Sequence, residues 1–229
     1  MVVDSYIEES KPISSAYLCK RYNLTCSSAT VRNIMFALER QGLLSHIYTS
    51  SGRVPTKAGF KIYIESFERE GFQDYPITIS FYSAPRPSLD DIVDHTLDAL
   101  SLSGYTSLVA VSGRQDRMLF FKGLRFMLEQ PEFENVERLK DILYILEVKM
   151  DDIGKLLFDY SDEKIRILIG DDIGFSEIAD CSLVVSGLNE KDHRLALALL
   201  GPMRMNYTRA ASYLNSVKNR LEQLLIGLV

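Results

Sequence analysis

The chain has 229 residues, 46% of them hydrophobic and 10% aromatic, a composition typical of a folded globular protein rather than a disordered segment. Its net charge is −5, its start is acidic without the pattern of a signal peptide, and no apolar stretch approaches the ~18 residues of a membrane span. The three cysteines lack C-x-x-C spacing, so we expect a cytoplasmic protein with reduced, mostly buried thiols.

The first 71 residues predict three helices. Residues 2–9 favour a short helix that ends before Pro12, and Ser14-Ser15 is placed to cap a second helix over residues 16–22. Ser27 or Ser28 caps a third helix that ends near Gln41, with Gly42 as the C′ residue.

The third helix is predicted to be amphipathic. The spacing of its apolar residues predicts one buried face, made of Val31, Ile34, Met35 and Leu38. The opposite side displays Thr30, Arg32, Asn33, Phe36 and Arg40.

A β-hairpin and a fourth helix are predicted next. Residues 43–48 and 53–54 favour strands, joined by a turn over residues 49–52 in which Gly52 is free to take a positive φ. Pro55-Thr56 then opens a helix to about Arg69. The apolar side predicted for that helix consists of Phe60, Ile62, Tyr63, Ile64 and Phe67. This order of elements predicts a winged helix-turn-helix domain over residues 1–71, and the prolines in residues 72–88 predict a linker.

Charge is unevenly distributed along the chain. Residues 10–64 hold eight Lys and Arg residues and one acid, Glu39, whereas residues 72–229 carry a net charge of −7. A basic segment on an acidic chain is typical of a module that binds a polyanion.

Residue types in the basic segment predict contacts with DNA. Small polar residues at the start of the third helix leave its N–H groups and positive dipole end open to phosphate. Arg32 suits the edge of guanine and Asn33 that of adenine, while the turn and Arg53 fit beside the backbone or in a minor groove. Lys20, Arg21 and Lys61 are further candidates for phosphate contacts. The predicted contacts are Ser27, Ser28, Thr30, Arg32, Asn33, Thr49, Ser50, Ser51, Gly52, Arg53 and Lys57.

Each of these features has a structural alternative. A serine at a helix start is usually a cap, Asn33 can make a local hydrogen bond, and Arg53 can pair with an acid of its own domain. Winged helices also serve as protein-interaction modules.

The rest of the chain alternates helices and strands. Helices are predicted over residues 89–102, 135–148, 151–160 and 206–225, and strands over residues 107–112, 165–170, 181–186 and 194–200. Residues 119–128 remain ambiguous. Strands in a mixed order with helices on one or both faces predict an α+β domain over residues 89–229.

No motif indicates catalysis, and we therefore predict a protein that is not an enzyme and has no cofactor. His46, His95 and His193 are far apart in the sequence and lack metal-ligand spacing, so no metal site is predicted. Arg204 and Tyr207 flank a strand-to-helix turn and are expected to lock it by packing and hydrogen bonds.

The N-terminal motifs carry a family resemblance. The segments Ser27–Met35, Leu38-Glu39, Gly42–Leu44 and Thr49–Thr56, followed by Gly59-Phe60, resemble the DNA-binding domain of HrcA, a family of bacterial heat-inducible transcription repressors. The segments that resemble its GAF-like domain are Gly123–Phe133, Ile169-Gly170, Asp180–Val184 and Gly201–Tyr207.

The resemblance implies a dimeric repressor in the bacterial cytoplasm, with no membrane association. Its implied partners are a double-stranded, inverted-repeat (CIRCE-like) operator ahead of chaperone genes and a GroE-type chaperonin. The alternative is a ligand- or protein-sensing regulator whose winged helix is a protein-interaction module. Members of the family are usually longer than this chain. Residues 109–112 here run almost directly into residues 117–123, whereas the family places further strands and an inserted dimerisation domain between them. We therefore expect a reduced GAF-like domain.

Overall fold

The computed structural model describes residues 1–46, 52–70, 72, 87–112, 117–162, 164–190 and 193–227. The chain divides into two compact units, Met1–Gly71 and Phe72–Val229. Most of the predicted linker over residues 72–88 lies outside the described residues.

The first unit consists of short helices and a small hairpin. Its elements are α1 (Val2–Glu9), α2 (Ser15–Arg21), α3 (Ser28–Arg40), β1 (Leu44–Ser45), β2 (Val54–Pro55) and α4 (Lys57–Glu70). The ends of α3 are those predicted, because Ser27 caps its start and Gly42 follows its end with a φ of 73°.

One apolar cluster holds the first unit together. Its buried members are Ile13, Leu18, Val31, Met35 and Leu44, and Phe60 and Ile64 of α4 are buried as well. The prediction was wrong for Ile34 and Ile62, which are 54% and 53% exposed. A helix buries only the arc that its neighbours cover, and this arc is narrower than the run of apolar residues in the sequence.

The hairpin is short and is braced by the loop that precedes α2. Leu44 pairs with Pro55 and Ser45 with Val54. Arg53 and Ile13 exchange backbone hydrogen bonds, 2.9 Å from Ile13 N to Arg53 O and 2.8 Å from Arg53 N to Ile13 O. β2 begins one residue later than the predicted strand and includes Pro55, which had been expected to open α4.

Thr56 caps α4 from the position that follows the hairpin. Its Oγ1 accepts a hydrogen bond from Gly59 N–H at 3.1 Å and donates one to the carbonyl of Gly42 at 2.7 Å. The end of α3, the hairpin and the start of α4 are thus joined at one corner of the unit.

The second unit contains one large sheet. Its elements are α5 (Leu89–Ser101), β3 (Thr106–Ser112), β4 (Arg117–Lys122), α6 (Arg125–Leu128), α7 (Val136–Val148), α8 (Met150–Asp159), β5 (Arg166–Ile169), β6 (Cys181–Glu190), β7 (His193–Pro202) and α9 (Tyr207–Gly227), with 3₁₀ turns at Pro131–Phe133, Gly170–Ile173 and Ser176–Ile178. The ambiguous segment over residues 119–128 divides into β4 and α6, separated at Gly123 with a φ of 84°.

The sheet has the order β4-β3-β7-β6-β5, and every neighbouring pair is antiparallel. Side chains alternate between its faces. One face carries Leu108, Leu183 and Ala198 into a core shared with α7 and α8, while α5 and α9 pack on the other face over Val109 and Leu197. The unit is a mixed α/β layer structure, as predicted, with helices on both faces.

β3 and β4 form a direct hairpin. Their pairing runs from Ser107–Lys122 to Ser112–Arg117, and residues 113–116, which connect them, lie outside the described residues. The chain therefore passes from one strand to the next at the point where the family resemblance places an insertion.

Candidate nucleic-acid interface

The first turn of α3 is exposed and capped. Ser27 Oγ accepts a hydrogen bond from the backbone N–H of Thr30 at 3.2 Å and lies 3.0 Å from Thr30 Oγ1. Ser27, Ser28 and Thr30 are all exposed. Since the first four N–H groups of a helix have no partner within it, this cap leaves the others open to an anion, which the helix dipole also attracts.

The outward face of α3 carries the two predicted base-reading residues. Arg32 and Asn33 are exposed, and so is Arg40, about two turns further along the helix. Within the described ranges of the chain, these three side chains make no hydrogen bond or ion pair. The local hydrogen bond considered for Asn33 is therefore not found there, and both guanidinium groups face solvent.

Glu39 links the hairpin to α3. Arg53 Nε donates to Glu39 Oε2 at 2.9 Å, and His46 Nδ1 contacts Glu39 Oε1. The hydrogen bond from His46 and the positive charge of Arg53 hold the pKa of Glu39 below its usual value. Arg53 thus pairs with an acid of its own unit, as the alternative interpretation predicted, and its head group is anchored rather than free.

Gly52 is required for a reason that the sequence did not reveal. A Cβ at this position would lie 2.4 Å from the carbonyl oxygen of Ile13. The hairpin backbone approaches the loop before α2 so closely that no side chain fits between them. This contact sets the position of the strand that leads out of the predicted wing.

Further basic residues surround α3. Lys20 and Lys61 are exposed and Lys57 is half-buried at the start of α4. Arg21 does not fit the predicted phosphate role, because its guanidinium is held by Glu8 at 2.5 Å and by the hydroxyl of Tyr17 at 2.8 Å. Those bonds raise the pKa of Arg21 and fasten α2 to α1.

Three predicted contacts, Thr49, Ser50 and Ser51, lie outside the described residues. The hairpin is described on both sides of them, to His46 and from Gly52. The bracing at Ile13 and Glu39 therefore defines the base of this loop.

Two features of the interface were missed in the sequence. Glu39 and His46 were not predicted to position the hairpin, although Glu39 is the only acid in residues 10–64 and so the nearest partner for a neighbouring cation. Phe36 was placed on the exposed side of α3 but given no role, and it is 55% exposed.

The remaining candidates are structural. No three His, Cys, Asp or Glu side chains gather as a metal site among the residues that the structure describes. Of the cysteines, Cys181 is buried, which raises the pKa of its thiol to about 12, but Cys26 is exposed, contrary to the expectation of mostly buried thiols. None of the helices described has the length and apolar character needed to cross a membrane.

Arg204 and Tyr207 lock the turn before α9, as predicted. Arg204 pairs with Glu132 at 2.5 Å and donates to Gln130 Oε1 at 2.8 Å. The hydroxyl of Tyr207 lies 2.7 Å from Ser182 Oγ and donates to the carbonyl of Met203, and burial raises the pKa of the phenol. These bonds fix the turn to the sheet.

Comparison with known proteins shows the family to which the chain belongs. A family model described as the HrcA protein C-terminal domain matches residues 24–211. The chain is 23% identical to a heat-inducible transcription repressor HrcA of Clostridium perfringens over 327 aligned residues, covering 98% of this chain and 96% of that protein. It is 24% identical to the HrcA of Bacillus pumilus, covering 100% of this chain and 96% of the relative.

The aligned length also shows that the two proteins differ in size. An alignment of 327 positions with a chain of 229 residues means that the Clostridium protein has about a hundred residues with no counterpart here. A crystal structure described as that of a hypothetical protein has a TM-score of 0.82 at 17% identity, covering 100% of this chain and 96% of the other. That similarity concerns the fold alone.

Proposed function

The chain belongs to the HrcA family, and from this we propose that it is a DNA-binding transcription repressor of heat-shock genes. The relatives named above are heat-inducible transcription repressors, and they align with nearly the whole chain. The observation that carries the proposal for this chain is the exposed outward face of α3, where Arg32 and Asn33 have no partner within the described residues.

The first unit acts as a winged helix-turn-helix in this proposal. α2 and α3 form the helix-turn-helix, α3 is the recognition helix, and the hairpin with residues 49–52 is the wing. The exposure of the first turn of α3 supports this assignment, and so does the eight-to-one excess of basic residues over residues 10–64. An excess of this kind attracts DNA at long range and lowers the salt tolerance of binding.

Roles follow from the geometry of each side chain. Arg32 and Asn33 read base edges, and the N–H groups of Ser27 and Ser28 bind a phosphate beside Thr30, whose own N–H is taken by the cap. Lys57 and Lys61 contact the backbone, as do Thr49, Ser50 and Ser51 of the wing and Gly52 beside them. Arg53, held by Glu39, is a positioning residue that sets the wing against α3.

The second unit serves regulation and assembly. Its negative charge disfavours DNA, and its layered α/β architecture supports the reduced GAF-like domain expected from the resemblance. We place a dimer on an inverted-repeat operator in the bacterial cytoplasm, with a GroE-type chaperonin as a partner. A two-fold protein dimer reads an inverted repeat because its two recognition helices are related by the same symmetry.

Selection from random DNA tests the proposal. The full chain is incubated with duplexes that carry a random central segment, and the bound duplexes are enriched and sequenced over several rounds. We expect an inverted repeat to emerge, and light scattering of the complex to give two chains per duplex.

Two variants make the selection specific to α3. A chain carrying Arg32→Ala and Asn33→Ala is expected to enrich a relaxed sequence or none, whereas Arg220→Ala, which removes one exposed arginine of α9, keeps the motif. Failure of the wild-type chain to enrich any sequence would refute the proposal, and so would recovery of the same motif by both variants.

A cleft in the second unit favours an additional role as a sensor. The cleft measures about 860 Å³, within the range of small-molecule sites, and is mostly apolar. Two cations, Lys122 and Arg125, lie among its walls, and Lys122 pairs with Asp98. Its lining includes His95, Leu102 and Phe126, and this mixture suits an apolar molecule with an anionic group.

Thermal shift with a panel of aromatic and short aliphatic carboxylates tests the sensing role. A ligand at a hundred times its Kd stabilises the folded state by about 2.7 kcal/mol. Leu102→Asp should abolish the shift, and Leu128→Asp, at another exposed leucine that belongs to α6 and lies outside the cleft lining, should preserve it. The absence of any shift, or a shift that both variants retain, would refute a sensor at this cleft.

A further inference from the structure

The outward face of α3 carries an exposed aromatic ring. Phe36 is 55% exposed and lies one turn after Arg32 and one turn before Arg40. Within the described part of the chain its ring makes no contact with another aromatic ring or a cation. Single exposed apolar residues are common on proteins, so its position and not its exposure carries the argument that follows.

Helix geometry places Phe36 away from the core. At about 100° per residue, Phe36 points roughly 130° from the centre of the buried arc formed by Val31, Met35 and Leu38. Arg32, Asn33 and Arg40 all lie within about 60° of Phe36 on the helical wheel. The ring therefore belongs to the same surface as Arg32 and Asn33, which are assigned to DNA.

Ile34 is the contrasting case on the same helix. It is 54% exposed, but it points about 160° away from Phe36 and borders the buried arc. The two apolar side chains match in exposure and differ in direction. Of the two, only Phe36 shares a face with Asn33 and Arg40.

We propose that Phe36 is a specificity-determining residue that packs against the C5-methyl group of a thymine in the operator. The inference rests on the proposed DNA-binding function. In the major groove the thymine methyl is the one apolar group on the base edges, and side chains such as Phe contact it. A phenyl ring between two arginines is held at the depth of the bases, because the guanidinium groups on either side bind the phosphates and base edges around it.

Replacing thymine by deoxyuracil tests the contact, because it removes this methyl group and keeps base pairing. The probe is the duplex that the wild-type chain enriches from random DNA, with each thymine replaced singly, and affinity is measured at one fixed salt concentration. Burial of one methyl-sized group is worth about 0.8 kcal/mol, which corresponds to about a fourfold change in Kd. We expect that loss at one thymine or more for the wild-type chain.

Phe36→Ala and the deoxyuracil substitution, alone and together, form a double-mutant cycle, and Ile34→Ala is its control. Phe36→Ala should weaken binding to the parent duplex and lose the sensitivity to that thymine, whereas Ile34→Ala should keep both affinity and sensitivity. Circular dichroism should show both variants folded, since both side chains are exposed and alanine favours helix.

Four outcomes would overturn the inference. The first is that deoxyuracil has no effect at any thymine, and the second is an equal effect on the wild type and Phe36→Ala; in both cases sequence-specific binding would stand without this contact. A change in the sedimentation of Phe36→Ala without DNA would instead assign the ring to contact between copies of the chain. If no duplex is enriched at all, the proposed function fails, and this inference fails with it.

Discussion

The two units of the chain differ in charge and in how they use their surfaces. Residues 10–64 hold one acid among eight basic residues, and α3 presents arginines without partners among the described residues. The second unit is acidic, and several of its exposed cations form ion pairs, for example Lys122 with Asp98 and Arg138 with Asp180. The difference indicates a first unit whose surface is arranged for an anionic partner.

The units also differ in how they are stabilised. The second unit buries an extensive core on both faces of a five-stranded sheet, whereas the first has a small cluster around Ile13, Val31 and Met35. Small cores give little stability, so single polar contacts count for more in the first unit. Glu39 with Arg53, and Tyr63 with Asp4 at 2.6 Å, are contacts of that kind.

The largest stability effect is expected in the second unit. Leu157 of α8 is fully buried, so Leu157→Ala should lower the free energy of unfolding of that unit by about 2–5 kcal/mol. The chain has no tryptophan, so urea unfolding is followed by circular dichroism and tyrosine fluorescence. Leu128→Ala, at a half-exposed leucine, should change the free energy of unfolding by less than about 0.5 kcal/mol. Equal effects of the two substitutions would contradict this description of the core.

Two glycine substitutions, one in each unit, should differ in their effect on DNA affinity. Gly52→Ala places a Cβ against the carbonyl of Ile13, so the hairpin has to move, at a cost of about 1–3 kcal/mol, and DNA affinity should fall. Gly104→Ala, at a φ of 83° with open space around it, strains the second unit by about 1–2 kcal/mol and should leave DNA affinity unchanged. Fluorescence anisotropy with the enriched duplex measures the DNA affinity of both variants. An unaltered affinity of Gly52→Ala would show that the wing does not matter for binding.

The smallest effect concerns pH. The pKa of Glu39 is lowered in the folded state, chiefly by the hydrogen bond from His46, so its contribution to stability is present above its unfolded pKa near 4.5 and is lost as pH falls through the folded pKa. Thermal unfolding between pH 7 and pH 3 should show the first unit losing less stability in Glu39→Gln than in the wild type. Glu65→Gln, an exposed glutamate of α4, is the control; an identical pH slope for the wild type and Glu39→Gln would contradict the prediction.

Features with local causes were predictable from the sequence. The ends of α3 follow from Ser27 and Gly42, whose side-chain oxygen and freedom of φ act within a few residues. The helical spacing of the apolar residues in α5 likewise gives one buried face, since Ile92, Val93, Leu97 and Leu100 are all buried.

Features that depend on residues distant in the sequence were not predictable. The requirement for Gly52 depends on Ile13, 39 positions earlier, and the antiparallel strand order depends on pairings that local patterns do not encode. The exposure of Ile34 could not be predicted because the periodicity of a helix gives the direction of a side chain but not the width of the neighbour that covers it.

The most direct test of the central claim is the affinity of Arg32→Ala for the enriched duplex, measured by titration at one salt concentration beside the wild type and Arg220→Ala. Loss of one base contact costs about 1–3 kcal/mol, so the Kd of Arg32→Ala should rise about 5- to 150-fold, and that of Arg220→Ala should stay unchanged. Equal affinities of all three proteins for the duplex would contradict the assignment of α3 as the helix that reads DNA.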